Sequence, residues 1–348
     1  MYFKITLILL FTNILSFGYA QTTTSYKVIT IGFYNLENLF DTINDPKTFD
    51  DDRTPDGKDH WTEAIYRKKL KNMASAIVAI GSDLTKSPPA ILGVAEVENK
   101  KVLEDLIQQE AMASYRYGII HHDSPDRRGI DVALLYRKDI FRPIQSMTRP
   151  VLLYDQKTGK RVYTRDQLVV TGYLENELLH IIVNHWPSRR GGEARSKYKR
   201  NKAARITRNI IDSLLFKDPY AKIITMGDFN DGPKNESIRE VLNTSNTINT
   251  LSDSRQFNPF EEILSNGTGS LAWGDSWNLF DQVLLSKALM KTDYKTFQYY
   301  KAQVYAKKFL TTANGSYKGY PFRSFANGRF TGGYSDHFPV CVYLIKKK

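Results

Sequence analysis

Seven apolar runs in this sequence each carry a polar residue at one tip, and which tip carries it constrains the fold more than any other feature. Asn35, Glu96, His185 and Asp228 close their runs, whereas Asp131, Asp281 and the pair Asp336-His337 open theirs. If all seven tips meet at one edge, some strands must run up and others down. The sheets are then mixed or antiparallel, which argues against a Rossmann-type parallel sheet. The clearest run is Ile223-Ile224-Thr225-Met226-Gly227-Asp228, followed by Phe229-Asn230-Asp231-Gly232-Pro233. It reads as a short strand delivering an acid and an amide into a tight turn. Asp228 and Asn230 are two residues apart, so an extended chain would aim them to the same side.

Helical periodicity fills the intervals. Tyr66, Leu70, Met73, Ile77 and Ile80 recur by threes and fours, as do Ala203, Ile206, Ile210 and Leu214 in a longer, strongly basic segment opening at Glu193. Strands are expected near residues 27–34, 90–95, 115–122, 130–137, 162–174, 178–185, 223–228, 279–286, 296–309 and 338–345. Helices among such strands imply an α/β (α+β) domain, in which two mixed or antiparallel β-sheets pack face to face with helices on both outer sides. No repeat or linker interrupts the alternation, so residues 21–348 are expected to form one domain.

Residues 1–20 read differently. Met1 to Lys4 form a short basic start, Ile5 to Phe17 are almost all apolar, and Gly18-Tyr19-Ala20 offers small residues for cleavage. This is the pattern of a secretory signal peptide, with cleavage expected before Gln21. Its apolar run is short for a membrane span. The mature protein is therefore expected to be exported, periplasmic or extracellular, without stable membrane insertion. Cys341 is the single cysteine, so no internal disulfide is available and a packed core must stabilise the fold. A formal net charge of +12 favours phosphates or polyanions as partners. No protein partner is implied.

The converging tips have a chemical logic of their own. Three or four carboxylates gathered with two imidazoles and two amides repel one another unless a cation sits among them. Oxygen donors of this kind suit a hard ion, Mg²⁺ or Mn²⁺, rather than zinc. Such an ion polarises a phosphoryl oxygen, while histidines and amides stabilise the others. Hydrolysis of a phosphate ester is the expected chemistry. Of the six histidines, His185 and His337 are the candidates; His180 is expected to be structural, and His60, His121 and His122 to lie on loops or the surface.

Asn35, the Glu96 segment, Asn184-His185, Gly227-Asp228-Phe229-Asn230, Asp281 and Ser335-Asp336-His337 occur in the order found in the endonuclease/exonuclease/phosphatase superfamily, which includes pancreatic-type deoxyribonuclease. The chain resembles that family from about Ile31 to its C-terminus. The combination of Asn35-Leu36-Glu37-Asn38, Glu96-Val97-Glu98-Asn99 and Asn184-His185 also resembles its exported bacterial nucleases. The resemblance implies a four-layer sandwich and a divalent ion held chiefly by Glu96, with Asp336 and Asn35 in or near the same shell. It implies that Asp228 orients or deprotonates the attacking water and that Asn230 positions the water or bonds the phosphate. Asp281 would fix and charge His337, which stabilises phosphoryl oxygens, and His185 would contact the phosphate.

Other residues keep two readings. Glu98 shares a face with Glu96 if the strand continues, so either acid could be the main ligand, and the resemblance favours Glu96. Glu37 serves either as a supporting acid or as a loop cap. Asp131 either enters the cleft or forms a salt bridge. Arg128, Arg189 and Arg190 are candidates for holding substrate phosphates, and Tyr320, Phe322, Phe325 and Phe330 for stacking on bases. The expected activity is that of a metal-dependent phosphodiesterase, a nuclease on DNA or RNA. A hydrolase of small or lipid phosphates and a non-catalytic nucleic-acid-binding protein are the alternatives.

Overall fold

The computed structural model describes residues 25–348. The expected signal peptide lies outside the described residues. Thirteen strands build the two large sheets: β1 (Tyr26–Leu39), β2 (Ile91–Val97), β3 (Tyr117–His121), β4 (Asp131–Arg137), β5 (Phe141–Arg149), β6 (Gln167–Leu174), β7 (Glu177–His185), β8 (Ile223–Asp228), β9 (Thr244–Ser245), β10 (Gln256–Phe257), β11 (Asp281–Ser286), β12 (Gln298–Val304) and β13 (Val340–Lys347). The first sheet has the order β12-β13-β1-β2-β4-β3 and the second β9-β10-β11-β8-β7-β6-β5. β5 is an edge strand that the periodicity did not reveal. Its exposed positions and Pro143 mask the alternation, as is usual where one side meets solvent.

The strand directions match the polar tips. β1 and β2 run parallel, as do β7 and β8, and their polar residues lie at exits. β4, β11 and β13 run antiparallel to them, and their polar residues lie at entrances. All seven tips therefore reach one edge of the sandwich.

Both faces of the second sheet are buried, so its strands read as nearly continuous apolar runs. Ile181, Val183, Ile224 and Met226 face the first sheet. Ile182 and Ile223 face the other way, where Ala203, Ala204 and Ile211 of the helix Glu193–Lys217 (α2) cover them. The helix Glu63–Ala79 (α1) buries Tyr66, Leu70, Met73 and Ile77 in the core shared with the first sheet. Side chain Thr62 caps it by accepting from Ile65 N–H. The result is a helix–sheet–sheet–helix sandwich. Close approach of the sheets depends on Gly93, where an added Cβ would stand 2.6 Å from Met226 Sδ.

Candidate active site

The cleft starts from one row of paired residues. Across three neighbouring strands His185 stands opposite Asp228, and Asp228 opposite Asp281. Since opposed residues project from the same face, an imidazole and two carboxylates share one edge. All three side chains are buried. The glycine before Asp228 lets β8 pass β7 closely, because a Cβ at Gly227 would sit 2.2 Å from the Asn184 carbonyl oxygen. By strand alternation Asn184 faces the helix side instead, where its Oδ1 accepts from Trp186 Nε1 and Thr207 Oγ1.

The first sheet supplies the remainder. Asn35 donates from Nδ2 to Asp228 Oδ2 at 3.1 Å. Ser335 Oγ donates to the Asn35 carbonyl at 2.7 Å, which ties the approach to β13 onto β1. His337, two residues further along that segment, bonds Asp281 Oδ2 through Nδ1 at 2.6 Å. Its Nε2 is 4.0 Å from Asp228 Oδ2 and 3.9 Å from Asp336 Oδ1. Asp228, Asp281 and His337 thus bring ligand-type atoms within 4.8 Å of one another.

Glu96 reaches the cleft through a bulge. The β2–β4 register slips between Ala95 and Val97, and Glu96 takes a left-handed φ of 60°. This turns its carboxylate toward His185 Nε2, 3.8 Å from Oε1, while Oε2 accepts from Asn38 N–H at 3.1 Å. The expectation that Glu98 shares a face with Glu96 therefore fails, since the bulge interrupts the alternation. Glu98 instead accepts from Asp41 N–H at 2.7 Å and lines a different, acidic cavity. Burial and neighbouring Asp41, Asp50 and Asp45 push its carboxyl up to about 8.

Charge in the cleft is unevenly distributed. Burial, and next the Asp281 carboxylate, raise the Asp228 carboxyl to about 7. Burial opposes a charge on His337, but Asp281, with Asp336 and Asp228, outweighs it and holds the imidazole well above its ordinary value. His337 is an imidazolium near neutrality. His185 is held well below the ordinary value by burial, Arg165, Arg128 and His337, so it stays neutral. Two buried atoms in the cleft, His185 Nδ1 and Asp281 Oδ1, have no hydrogen-bond partner among the described residues.

Several expected positions fall elsewhere. Asn230 has φ 52°, so the extended geometry that would align it with Asp228 ends one residue too early. Its backbone N–H donates to Asp228 Oδ1 at 2.9 Å and its amide to the Trp186 carbonyl at 2.9 Å. Arg189 does not face solvent as a phosphate ligand. Its guanidinium bonds the Asn230 carbonyl, Glu193 and Asp231, and lies 4.6 Å from the Phe280 ring centroid. Glu37 accepts from Ser324 N–H and Oγ, so it secures the loop before β13. Asp131 reaches the right edge, but both its oxygens are engaged by Ser124 and His121. Arg128 and Arg190 are exposed and line a cavity with Arg165, which bonds the His185 carbonyl. The four aromatics expected to stack on bases are half-buried against neighbouring rings: Phe325 and Phe330 on Trp61, Tyr320 on Trp277, Phe322 near Tyr334.

Sequence reading missed three contributors. His121 has a buried side chain bonded to Asp131. Arg165, 5% exposed, holds Asp126 and the His185 and Trp186 carbonyls. Lys69 is fully buried on α1, where it donates to Ser324 Oγ and the Tyr334 carbonyl; burial lowers it to about 8. Only for Lys69 was there a signal, a cation interrupting an apolar stripe.

The donor set suits a hard cation. Glu96, Asp336 and Asn35 offer oxygen only, and among the described residues Glu96 Oε1 has no donor within hydrogen-bond distance. Asp336 currently pairs with Arg323 at 3.0 Å, and the Asn35 oxygen accepts from Glu37 N–H. A two-sheet sandwich with this cleft is a fold of the phosphodiesterase and nuclease type. The chain belongs to the endonuclease/exonuclease/phosphatase family, whose model matches residues 30–346. Members are typically metal-dependent phosphoester hydrolases.

Solved structures share the fold at low identity. TDP2 of D. rerio complexed with single-strand DNA product is 12% identical, with TM-score 0.52, covering 91% of this chain and 98% of that one. Truncated TDP2 of Caenorhabditis elegans is 13% identical, with TM-score 0.54 and coverages of 91% and 97%. An endonuclease/exonuclease/phosphatase family protein from Bacteroides thetaiotaomicron is 16% identical, with TM-score 0.52 and coverages of 93% and 97%. No curated protein matches the sequence.

Proposed function

We propose that the protein is an exported, Mg²⁺- or Mn²⁺-dependent phosphodiesterase acting on nucleic acid. The observation that carries the reading is the buried set Asp228, Asp281 and His337, in which a proton acceptor and a proton donor face the same space. Glu96 and Asp336, with Asn35 beside them, would hold the divalent ion. That ion would polarise a phosphoryl oxygen and offset charge in the transition state.

The chain's own residues handle the proton and the geometry. Asp228, held at one oxygen by Asn35 and at the other by the Asn230 N–H, takes a proton from the attacking water. The water oxygen bonds to phosphorus, and the ester oxygen leaves with its bonding pair. His337, charged through Asp281, donates from Nε2 to a phosphoryl oxygen. Neutral His185 offers Nε2 to the phosphate without adding positive charge beside the ion. Asn230 acts by positioning Asp228, and Arg128 and Arg190 are placed to meet phosphates outside the cleft. Export is supported by the leader-like residues 1–20 and nucleic acid by the basic surface; the family includes nucleases.

The test is an assay of mature protein on a single-stranded oligonucleotide, an RNA, a lipid phosphodiester and a sugar phosphate, each with and without chelator. Hydrolysis of nucleic acid that stops in chelator and returns with Mg²⁺ or Mn²⁺ is expected. Turnover unaffected by chelator would reject the metal mechanism, and preference for the sugar or lipid phosphate would replace the substrate.

A further inference from the structure

We infer that a basic trough running from beside His185 along α2 binds a single polynucleotide strand, so that the substrate is a polymer held at several phosphates to one side of the scissile bond. This rests on the nucleic-acid reading above and deepens it. The trough begins as a cavity of about 250 Å³ behind His185, lined in part by Arg128, Arg190, Lys199 and Tyr163. Arg165, whose Nε bonds the His185 carbonyl, forms part of its wall. It shares Leu153 with a second cavity of about 550 Å³, lined by Tyr154, Tyr198, Lys202 and Arg205.

Two properties separate this surface from an ordinary solvated basic helix. The first is how its cations are paired. Around α2, Arg189, Lys197, Arg200 and Arg208 each have a carboxylate partner, whereas among the described residues Arg190, Lys199, Lys202 and Arg205 form no ion pair. Every cation that α2 and the turn before it contribute to the trough is unpaired among the described residues, as are Arg195 and Lys217 away from it, while Arg128 and Arg165 on the opposite wall share Asp126. The two acids nearby are already engaged: Asp126 pairs with Arg165 and with Arg128, and Asp155 accepts from Thr158 and Lys157. The second is the set of aromatic rings among the cations. Tyr154 and Tyr163 are 54% and 45% exposed, and Tyr198 lies against Lys199. Rings beside phosphate-binding cations suit unpaired bases, which stack on them, better than a closed duplex.

Length supports a polymer. Lys199 and Arg205 are six residues apart on a helix, about 9 Å along its axis at 1.5 Å per residue, and the trough continues past Lys199 to Arg128. One phosphate cannot satisfy cations so widely spaced.

The test measures binding in chelator, so it needs no turnover. Fluorescence anisotropy of a labelled 12-nucleotide single strand would compare wild type with Lys202→Ala/Arg205→Ala. The control is Lys68→Ala/Lys71→Ala, which removes equal charge from exposed positions of α1 in the opposite outer layer. The trough variant is expected to bind about tenfold or more weakly at low salt and to lower the log–log salt slope by about 1.4, near 0.7 per lost phosphate contact. Wild type is expected to prefer the single strand to the corresponding duplex. Equal weakening by the α1 control, an unchanged slope, or tighter binding of duplex would overturn the inference. If oligonucleotide binding follows the expected pattern but nothing is hydrolysed when metal is restored, the trough stands and the proposed reaction falls.

Discussion

Two groups of three in this molecule look alike on paper: Asp228, Asp281 and His337 in the cleft, and His121, Asp123 and Asp131 at the neighbouring edge. In each, two aspartates and a histidine bring their polar atoms within 4.8 Å of one another. Their states differ. Asp131 is fully satisfied, accepting from Ser124 N–H, Ser124 Oγ and His121, and Asp123 projects into solvent with its side chain 93% exposed. In the cleft Asp281 keeps one buried oxygen without a partner among the described residues, and Asp228 is buried beside another carboxylate. The edge group is at rest, whereas the cleft group holds unresolved charge. Unmet demand, rather than residue type, separates a reacting site from a structural one.

Substitution should break the likeness most sharply. Asp228→Asn and His337→Ala are each expected to lower kcat/KM by about 10²–10⁴-fold, the range for a lost general base or oxyanion donor. His121→Ala should leave turnover within a few-fold but cost about 1–3 kcal/mol of stability, because it leaves Asp131 buried without one of its donors. Urea unfolding beside initial rates would check both; a large catalytic loss at His121 would erase the distinction.

The bulge at Glu96 sharpens the comparison next. Glu96→Gln should raise the metal concentration needed for half-maximal rate by about 10–100-fold, whereas Glu98→Gln should change it little. A metal titration of both variants decides the matter, and the reverse order would return Glu98 as the main ligand.

Titration gives a smaller effect. With Asp228 raised to about 7, kcat/KM should rise with pH up to and through that value as the base ionises, measurable at saturating metal across pH 5–9. Stability moves the other way. A carboxyl whose folded value lies above its unfolded one stabilises the fold while protonated, and that contribution is lost as pH rises through about 7. In chelator at pH 8, Asp228→Asn should therefore be more stable than wild type by about 1–2 kcal/mol, and the gain should shrink as pH falls and vanish below about pH 4, where the unfolded carboxyl is protonated as well. A variant less stable at both pH values would remove that account. The smallest effect is expected at Asp123. With its side chain in solvent, Asp123→Ala should shift stability by less than about 0.5 kcal/mol and leave the rate alone.

Much of this was legible from residue order. The position of each polar residue, at the exit or entrance of its run, encoded strand direction, and the observed pairing agrees at all seven. Apolar spacing gave both long helices, since Tyr66, Leu70, Met73 and Ile77 are buried as their period requires. What stayed hidden depends on contacts between segments far apart in the chain. Arg189 looks like a free cation until Asp231 and the Asn230 carbonyl are seen beside it. His121 looks like a surface residue until β4 brings Asp131 to it.

The sequence by itself determined the family, the mixed direction of the strands and the chemical types gathered at one edge, because these follow from local order and period. Only the tertiary structure decided which of two nearby glutamates enters the cleft, which histidine is charged and which cations remain unpaired. Each of those depends on a backbone bulge, on burial, or on a partner more than a strand away, and no run of neighbouring residues records such distances.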